Sequence, residues 1–295
     1  MGKRVDMTDF QGKIVVITGG SDGIGKALVQ QFLSLGAQVA TCGRSESKLA
    51  LLEKECNSNA LMVQVADVSK NEDCDAFIKL VEQKWGGIDI LINNAGISMR
   101  ALVSELSIDT LKNVMDINFW GTVYTTMAAL PSIKTNKGVV VGVSSIAGYR
   151  GLPGRSGYSA SKYALNGWLE ALKTELYGSG THVMWVCPGF TASNIRNAAL
   201  DKDAKAQGES PMDEGAMMSA EECATHIIKA IAKRKRSLVL TFTGKRAVFM
   251  NKFFPGLADK LTHSFFFKNG KLDQLITHKE QHTGQCRTGY FIEIV

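Results

Sequence analysis

Regular alternation of short apolar runs with amphipathic stretches predicts an α/β fold, a doubly wound parallel sheet of about seven strands. Two observations carry that reading. The apolar runs are continuous rather than alternating, as in strands buried on both faces. Stretches of helical periodicity separate them, as in a succession of βαβ units. Residues 13–18 (KIVVIT) form the first strand and 23–35 the first helix, which Gly36 can cap. Residues 38–42 read as the second strand, 45–56 as a helix, 60–66 as the third strand, 71–85 as a helix closed by Gly86-Gly87, and 88–93 as the fourth strand. One long helix is expected over 107–130, followed by strand 138–144, helix 158–177, strand 181–187, helix 221–233 and strand 237–242. The polar stretch 197–217, with Gly208, Pro211 and Gly215, reads as a mobile loop.

Composition narrows the functional classes. With 295 residues and 45% apolar content the chain can bury a full core. It has no apolar run of about 18 residues, so a membrane-spanning helix is not expected. Its polar, basic first residues carry no secretory signal. Six scattered cysteines without a C-x-x-C pair suit free thiols in a reducing compartment, and the expectation is a cytoplasmic protein. The five histidines show no metal-ligand spacing, so no metal is expected.

The first strand runs into Gly19-Gly20-Ser21-Asp22-Gly23-Ile24-Gly25. Glycines there allow a tight turn and close backbone approach to a pyrophosphate, and the following helix N-terminus offers unpaired N–H groups to the phosphates. This predicts a Rossmann-type dinucleotide site. A carboxylate at the end of the second strand would bind a free ribose 2′-hydroxyl. This chain has Arg44 and Ser45 instead, which suit a 2′-phosphate and favour NADP over NAD. Asp22 places a negative charge near the same pocket.

Tyr158 and Lys162 open a helix four residues apart and so share a face. A cation beside a phenol stabilises the phenolate and lowers its pKa from about 10, which makes Tyr158 a usable proton donor or acceptor. Ser144-Ser145, Asn93-Asn94 and Pro188-Gly189 end other strands, where ligands sit in open α/β sheets. With these motifs in order over residues 10–242, the sequence resembles the short-chain dehydrogenase/reductase family in its compact single-domain branch. The resemblance implies that Tyr158 moves the proton and Ser145, thirteen residues before it, holds the substrate oxygen. It further implies that Lys162 binds the nicotinamide ribose and tunes Tyr158, and that Asn118 supports a water relay towards Lys162. Asp67-Val68 would meet the adenine and Asn94 the adenosine ribose. Thr191 and Ser193, after Pro188-Gly189, both fit a partner for the carboxamide. The family also forms dimers or tetramers through its two long helices.

From Lys229 to Lys271 there are eleven Lys or Arg and one acid, Asp259, so this segment carries +10 and the rest of the chain −4. Seven of the thirteen Phe fall in it. Three readings stand: a solvated face whose Phe rings pack on the protein or a neighbouring subunit, contact of residues 233–268 with an anionic membrane or a lipid-substrate entrance, or nucleic-acid binding, which is not expected. With Arg44 and the 206–211 loop, the segment resembles reductases of the family that act on lipid ketones. Residues 1–242 are expected to form the dinucleotide-binding and catalytic domain, and 243–295 a basic, Phe-rich extension that is not an independent domain. The expected activity is NADP(H)-dependent interconversion of a ketone and a secondary alcohol on an apolar substrate. An NAD-dependent alcohol or hydroxysteroid-type dehydrogenase and a catalytically idle dinucleotide-binding scaffold are the alternatives.

Overall fold

β-Branched side chains pack well on a pleated surface covered on both sides, and the apolar runs become strands for that reason. The computed structural model describes residues 10–189, 191, 195, 198–205, 217–268 and 271–272. Seven strands, β1 (Ile14–Thr18), β2 (Gln38–Gly43), β3 (Leu61–Val65), β4 (Ile90–Asn93), β5 (Val139–Val143), β6 (His182–Cys187) and β7 (Ser237–Val239), pair in parallel in the order β3-β2-β1-β4-β5-β6-β7. The winding reverses between β1 and β4, which opens a crevice beyond the carboxyl ends of the strands.

Successive strand residues face opposite sides, and both sides are covered. Val15, Ile17 and Val141 pack against α1 (Gly23–Ser34) and α7 (Ala220–Ala232) through Leu28, Phe32 and Ile227. Val16, Leu91 and Val140 pack against α3 (Asn71–Trp85), α5 (Gly121–Thr135) and α6 (Ser156–Glu175) through Phe77, Ile133 and Leu169. Helix α2 (Glu46–Cys56) lies along β2 and β3. Phe32 is fully buried and meets Phe10 edge-on at 5.2 Å. Phe32→Ala should therefore cost about 3–5 kcal/mol of stability, read as a lower urea midpoint with an unchanged denaturant slope.

Three expectations need correction. The single helix at 107–130 is α4 (Ile108–Met115), a π-helical turn (Asp116–Trp120) and α5, which runs past Pro131 to Thr135. The wider π turn shifts the phase of the buried face, so Ile117 and Asn118 both point inward. The seventh strand ends at Val239 rather than at Phe242. Thr241 takes φ +62° and accepts Gly244 N–H on its Oγ1, turning the chain into α8 (Phe242–Phe253). The helix expected from Tyr158 starts two residues earlier, at Ser156. After α8 come α9 (Pro255–Phe266) and a short antiparallel pair, β8 (Phe267–Lys268) with β9 (Lys271–Leu272). Most of the 197–217 loop and residues 273–295 lie outside the described residues. Among the described residues no helix is long and apolar enough to cross a membrane, five cysteines are free, and no cluster could hold a metal.

Candidate active site

The glycine turn joins β1 to α1 at the switch point. Gly19 has φ +69°, and a Cβ there would stand 2.9 Å from Ala95 Cα, so turn and β4 loop pack backbone to backbone. A Cβ on Gly25 would overlap the Gly19 carbonyl oxygen and lie 2.5 Å from Asn94 Nδ2. Thr18 Oγ1 accepts the N–H groups of Asn94 and Ala95, and Asn94 Nδ2 donates to the carbonyls of Thr18 and Gly19 at 3.0 Å. Asn94 therefore holds the turn in shape. Helix α1 has no acid in its first turn, and Ile24 packs into the core just inside it. Its positive end points into the crevice.

Arg44, exposed, and Ser45 follow β2, and Ser21 Oγ lies 3.3 Å from where a Cβ on Gly43 would stand. The anionic Asp22 of this corner caps α1 through Gly23 N–H and pairs with Lys48 at 2.7 Å. Lys48 and Ser47, whose hydroxyl lies 3.1 Å from that of Ser45, were not singled out from sequence. No local pattern marks them, because the partner of Lys48, Asp22, lies 26 residues away in the chain. Asp67 accepts Ser69 N–H and hydroxyl on Oδ1, and Val68 is buried against Gly121.

The four residues expected to act on a proton come together from three elements. Lys162 is buried, donates from Nζ to the Val143 carbonyl at 2.9 Å, and lies 5.7 Å from the Tyr158 ring centre. Burial lowers its pKa to about 8. Ser145 is half-buried and caps the 3-10 turn Ile146–Gly148, accepting Ala147 N–H at 3.2 Å. Ser144 is buried with its hydroxyl against Cys187, whose pKa burial pushes up to about 12. Of the two serines, Ser145 is the more accessible. Asn118 exchanges both amide bonds with Ile97 and donates to Ser161 Oγ at 3.0 Å. A Cβ on Gly96 would stand 3.1 Å from Asn118 Oδ1 and 3.6 Å from Lys162 Nζ, so these two groups flank the same glycine.

Beside Tyr158 lies a small apolar cluster of Met99, Ala101, Val114 and Ala147, with Leu152, Ile195 and Leu200 against it. Sequence periodicity did not reveal it, because it gathers helix, turn and loop residues from separate parts of the chain. Pro188 and Gly189 end β6, and a Cβ on Gly189 would lie 2.6 Å from Thr241. Thr191 is buried and donates to the Gly189 carbonyl at 3.4 Å, while Ser193 lies outside the described residues. A separate cavity of about 650 Å³ opens between α9 and the 150–154 segment. Ser159 and Tyr163 line it, about 100° around α6 from Tyr158 and Lys162, so the face that carries Tyr158 and Lys162 is not its wall.

Fold and site together define a Rossmann-type α/β protein with a ligand crevice at its switch point. Residues 13–204 match the family model of the short chain dehydrogenases. The chain is 32% identical over 252 residues to "Dehydrogenase/reductase SDR family member 7B" of Mus musculus, covering 83% of this chain and 78% of that one. It is 34% identical over 241 residues to "11-beta-hydroxysteroid dehydrogenase 1A" of Arabidopsis thaliana, covering 77% and 68%. A short chain dehydrogenase/reductase from Burkholderia phymatum, solved in complex with NAD, superposes with a TM-score of 0.76 at 22% identity, over 84% of this chain and 96% of that one. The chain belongs to the short-chain dehydrogenase/reductase family, oxidoreductases that use a nicotinamide dinucleotide.

Proposed function

We propose that the protein is an NADP(H)-dependent reductase of a ketone on an apolar substrate, working reversibly with the secondary alcohol. The observation that carries it is the buried Lys162 beside Tyr158, next to an apolar wall. The cofactor, when bound, supplies or takes up the hydride. Tyr158 gives the proton to the carbonyl oxygen, Ser145 holds that oxygen by a hydrogen bond, and the Lys162 ammonium stabilises the phenolate left behind. Asn118 anchors the floor under Lys162 and supports the route by which the proton is replaced. The apolar cluster around Tyr158 excludes water from the reacting carbon. The test is NADPH oxidation with a series of methyl ketones from 2-butanone to 2-hexadecanone. Rates should rise with chain length; preference for small polar ketones would end the apolar reading, and no turnover of any ketone would favour the idle scaffold.

The glycine turn and the α1 N-terminus fit a pyrophosphate, with Gly19, Ser21, Gly23, Ile24 and Gly25 around it. NADP rather than NAD is favoured by Arg44, Ser45 and Lys48, with Asp22 already neutralised by Lys48. Asp67, Val68 and Asn94 would border the adenosine, and Pro188, Gly189 and Thr191 the nicotinamide end. Charge-assisted hydrogen bonds are worth about 1.5–3 kcal/mol. Arg44→Ala should therefore weaken NADP binding about 10- to 100-fold while leaving NAD within twofold; equal losses for both cofactors would remove the basis for the NADP assignment.

The protein is proposed to pair into dimers or tetramers through α5 and α6, which expose Met127 and Tyr163, with Trp120 exposed in the π turn just before α5. It is also proposed to be cytoplasmic and to touch anionic membranes through residues 233–268. Along α8, Phe242, Lys245, Phe249, Lys252 and Phe253 form one exposed stripe, and Phe254 and Leu257 extend it. The segment's single acid, Asp259, is engaged by Arg150. Each lysine near an anionic surface contributes about 1 kcal/mol. Co-sedimentation with phosphatidylserine-containing vesicles should be lost in Phe249→Glu/Phe253→Glu and at high salt, and should be absent with phosphatidylcholine alone.

A further inference from the structure

Helix α8 turns small and polar residues towards the body of the protein. Gly244 and Ala247 are buried and Asn251 is half-buried, while Phe242, Phe249 and Phe253 face outward. A helix held by apolar burial would be oriented the other way, so specific inward contacts must place it. Four such contacts reach the catalytic loops. Thr241, at its N-cap, abuts Gly189 after β6. Gly244 packs on Ile146, next to Ser145, so closely that a Cβ would stand 2.8 Å from Ile146 Cδ1. Asn251 Nδ2 donates to the Tyr149 carbonyl at 2.7 Å, and its Oδ1 accepts Arg150 Nη1 at 3.0 Å. The same Arg150 nitrogen pairs with Asp259 of α9 at 2.7 Å.

The last three of these contacts close on residues 146–150, which lead from Ser145 towards the helix carrying Tyr158. From the other side, Asn166 Nδ2 donates to the Gly148 carbonyl at 3.0 Å, and the Tyr163 hydroxyl donates to the Tyr149 carbonyl. The Tyr149 carbonyl is thus held between α6 and α8. Thr241 keeps a left-handed φ of +62°, a conformation that costs a β-branched residue about 1–3 kcal/mol and persists only where its surroundings over-determine it. The strain lies where the chain leaves β7 and turns into α8.

We propose that Asn251, together with Arg150, is a positioning residue for the reaction: it fixes the Tyr149–Arg150 backbone and so the placement of Ser145 relative to Tyr158. This rests on the reading of Ser145 and Tyr158 as the reacting pair. Asn251 lies beyond residue 204, where the family-model match ends. The active site is therefore completed by the C-terminal segment.

Asn251→Asp is the sharpest probe, since it keeps the size and the acceptor for Arg150 and removes the donor to Tyr149. Asn251→Ala, Arg150→Ala and Arg150→Lys accompany it. Each is assayed with NADPH and the fastest ketone of the methyl-ketone series, with the urea midpoint and NADPH affinity measured on the same preparations. Asn251→Asp should lower kcat at least tenfold, with the NADPH Kd within twofold and the urea midpoint nearly unchanged, and Arg150→Lys should recover most of the activity lost in Arg150→Ala. Wild-type kcat in Asn251→Asp overturns the proposal, as does a loss of kcat no greater than the loss of folded protein. Tyr158→Phe is run in parallel. Full activity there defeats the underlying reading, whereas an inactive Tyr158→Phe beside a fully active Asn251→Asp defeats only the positioning role.

Discussion

Tyr158→Phe should lower kcat by about 10²–10⁴-fold, the usual contribution of a positioned general acid or base, while NADPH binding stays within about twofold of wild type. The separation follows from where the tyrosine sits. Its ring is 8% exposed and belongs to the apolar cluster with Met99, Ala101 and Ala147. Phenylalanine fills the same volume, so no cavity forms and the urea midpoint should barely move. The glycine turn and the Arg44 corner are built by β1, β2 and α1, whereas Tyr158 lies on α6. The result to compare is Tyr177→Phe. Tyr177 is 92% exposed beyond the end of α6, and its substitution should change neither quantity. Turnover by Tyr158→Phe within tenfold of wild type would move the proton transfer to another group.

The parts of this molecule that could be read from sequence are those whose signal is local. Strand β1 and its glycine turn are contiguous, and Tyr158 and Lys162 lie one helical turn apart. The strand ends that carry Ser145, Asn94 and Gly189 follow from the winding of a parallel sheet. What was missed depends on partners distant in sequence or on a small change of phase. Lys48 is an ordinary surface lysine until Asp22, 26 residues earlier, is seen beside it. The π turn at Asp116–Trp120 adds one residue to a helix whose apolar pattern continues on either side, so periodicity alone cannot locate it. Strand β7 was read too long because Leu238, Val239 and Leu240 look like strand, while the break comes from the φ of Thr241. The phenylalanines of the last segment divide: Phe266 is buried, whereas Phe242, Phe249, Phe253 and Phe254 are exposed. Composition counts them alike. Only the inward contacts of Gly244 and Asn251 decide which way α8 faces.

Lys162→Met should make the apoprotein more stable at neutral pH and the enzyme nearly inactive. Lys162 is 4% exposed, and burial brings its pKa from 10.5 to about 8. Between those values the unfolded chain binds the proton and the folded one does not, so this group makes stability rise with pH from about 8 to 10.5. Below pH 8 the folded protein bears the full cost of a buried ammonium, about 3 kcal/mol at 1.36 kcal/mol per pKa unit. Methionine has a similar shape and no charge, but it forgoes the hydrogen bond to the Val143 carbonyl, worth about 1 kcal/mol. The net gain at pH 7 should therefore be about 2 kcal/mol, shrinking to nothing or reversing near pH 10. Urea titrations of both proteins at the two pH values measure it. A variant less stable than wild type at pH 7 would show that the ammonium is well compensated where it lies. In the direction of alcohol oxidation, where Tyr158 acts as the base, the accompanying loss of kcat should be smallest at high pH, where the Tyr158 phenol ionises without help from a neighbouring cation. In the proposed mechanism the protein keeps a charge in its interior at the expense of stability because proton transfer at Tyr158 uses it there.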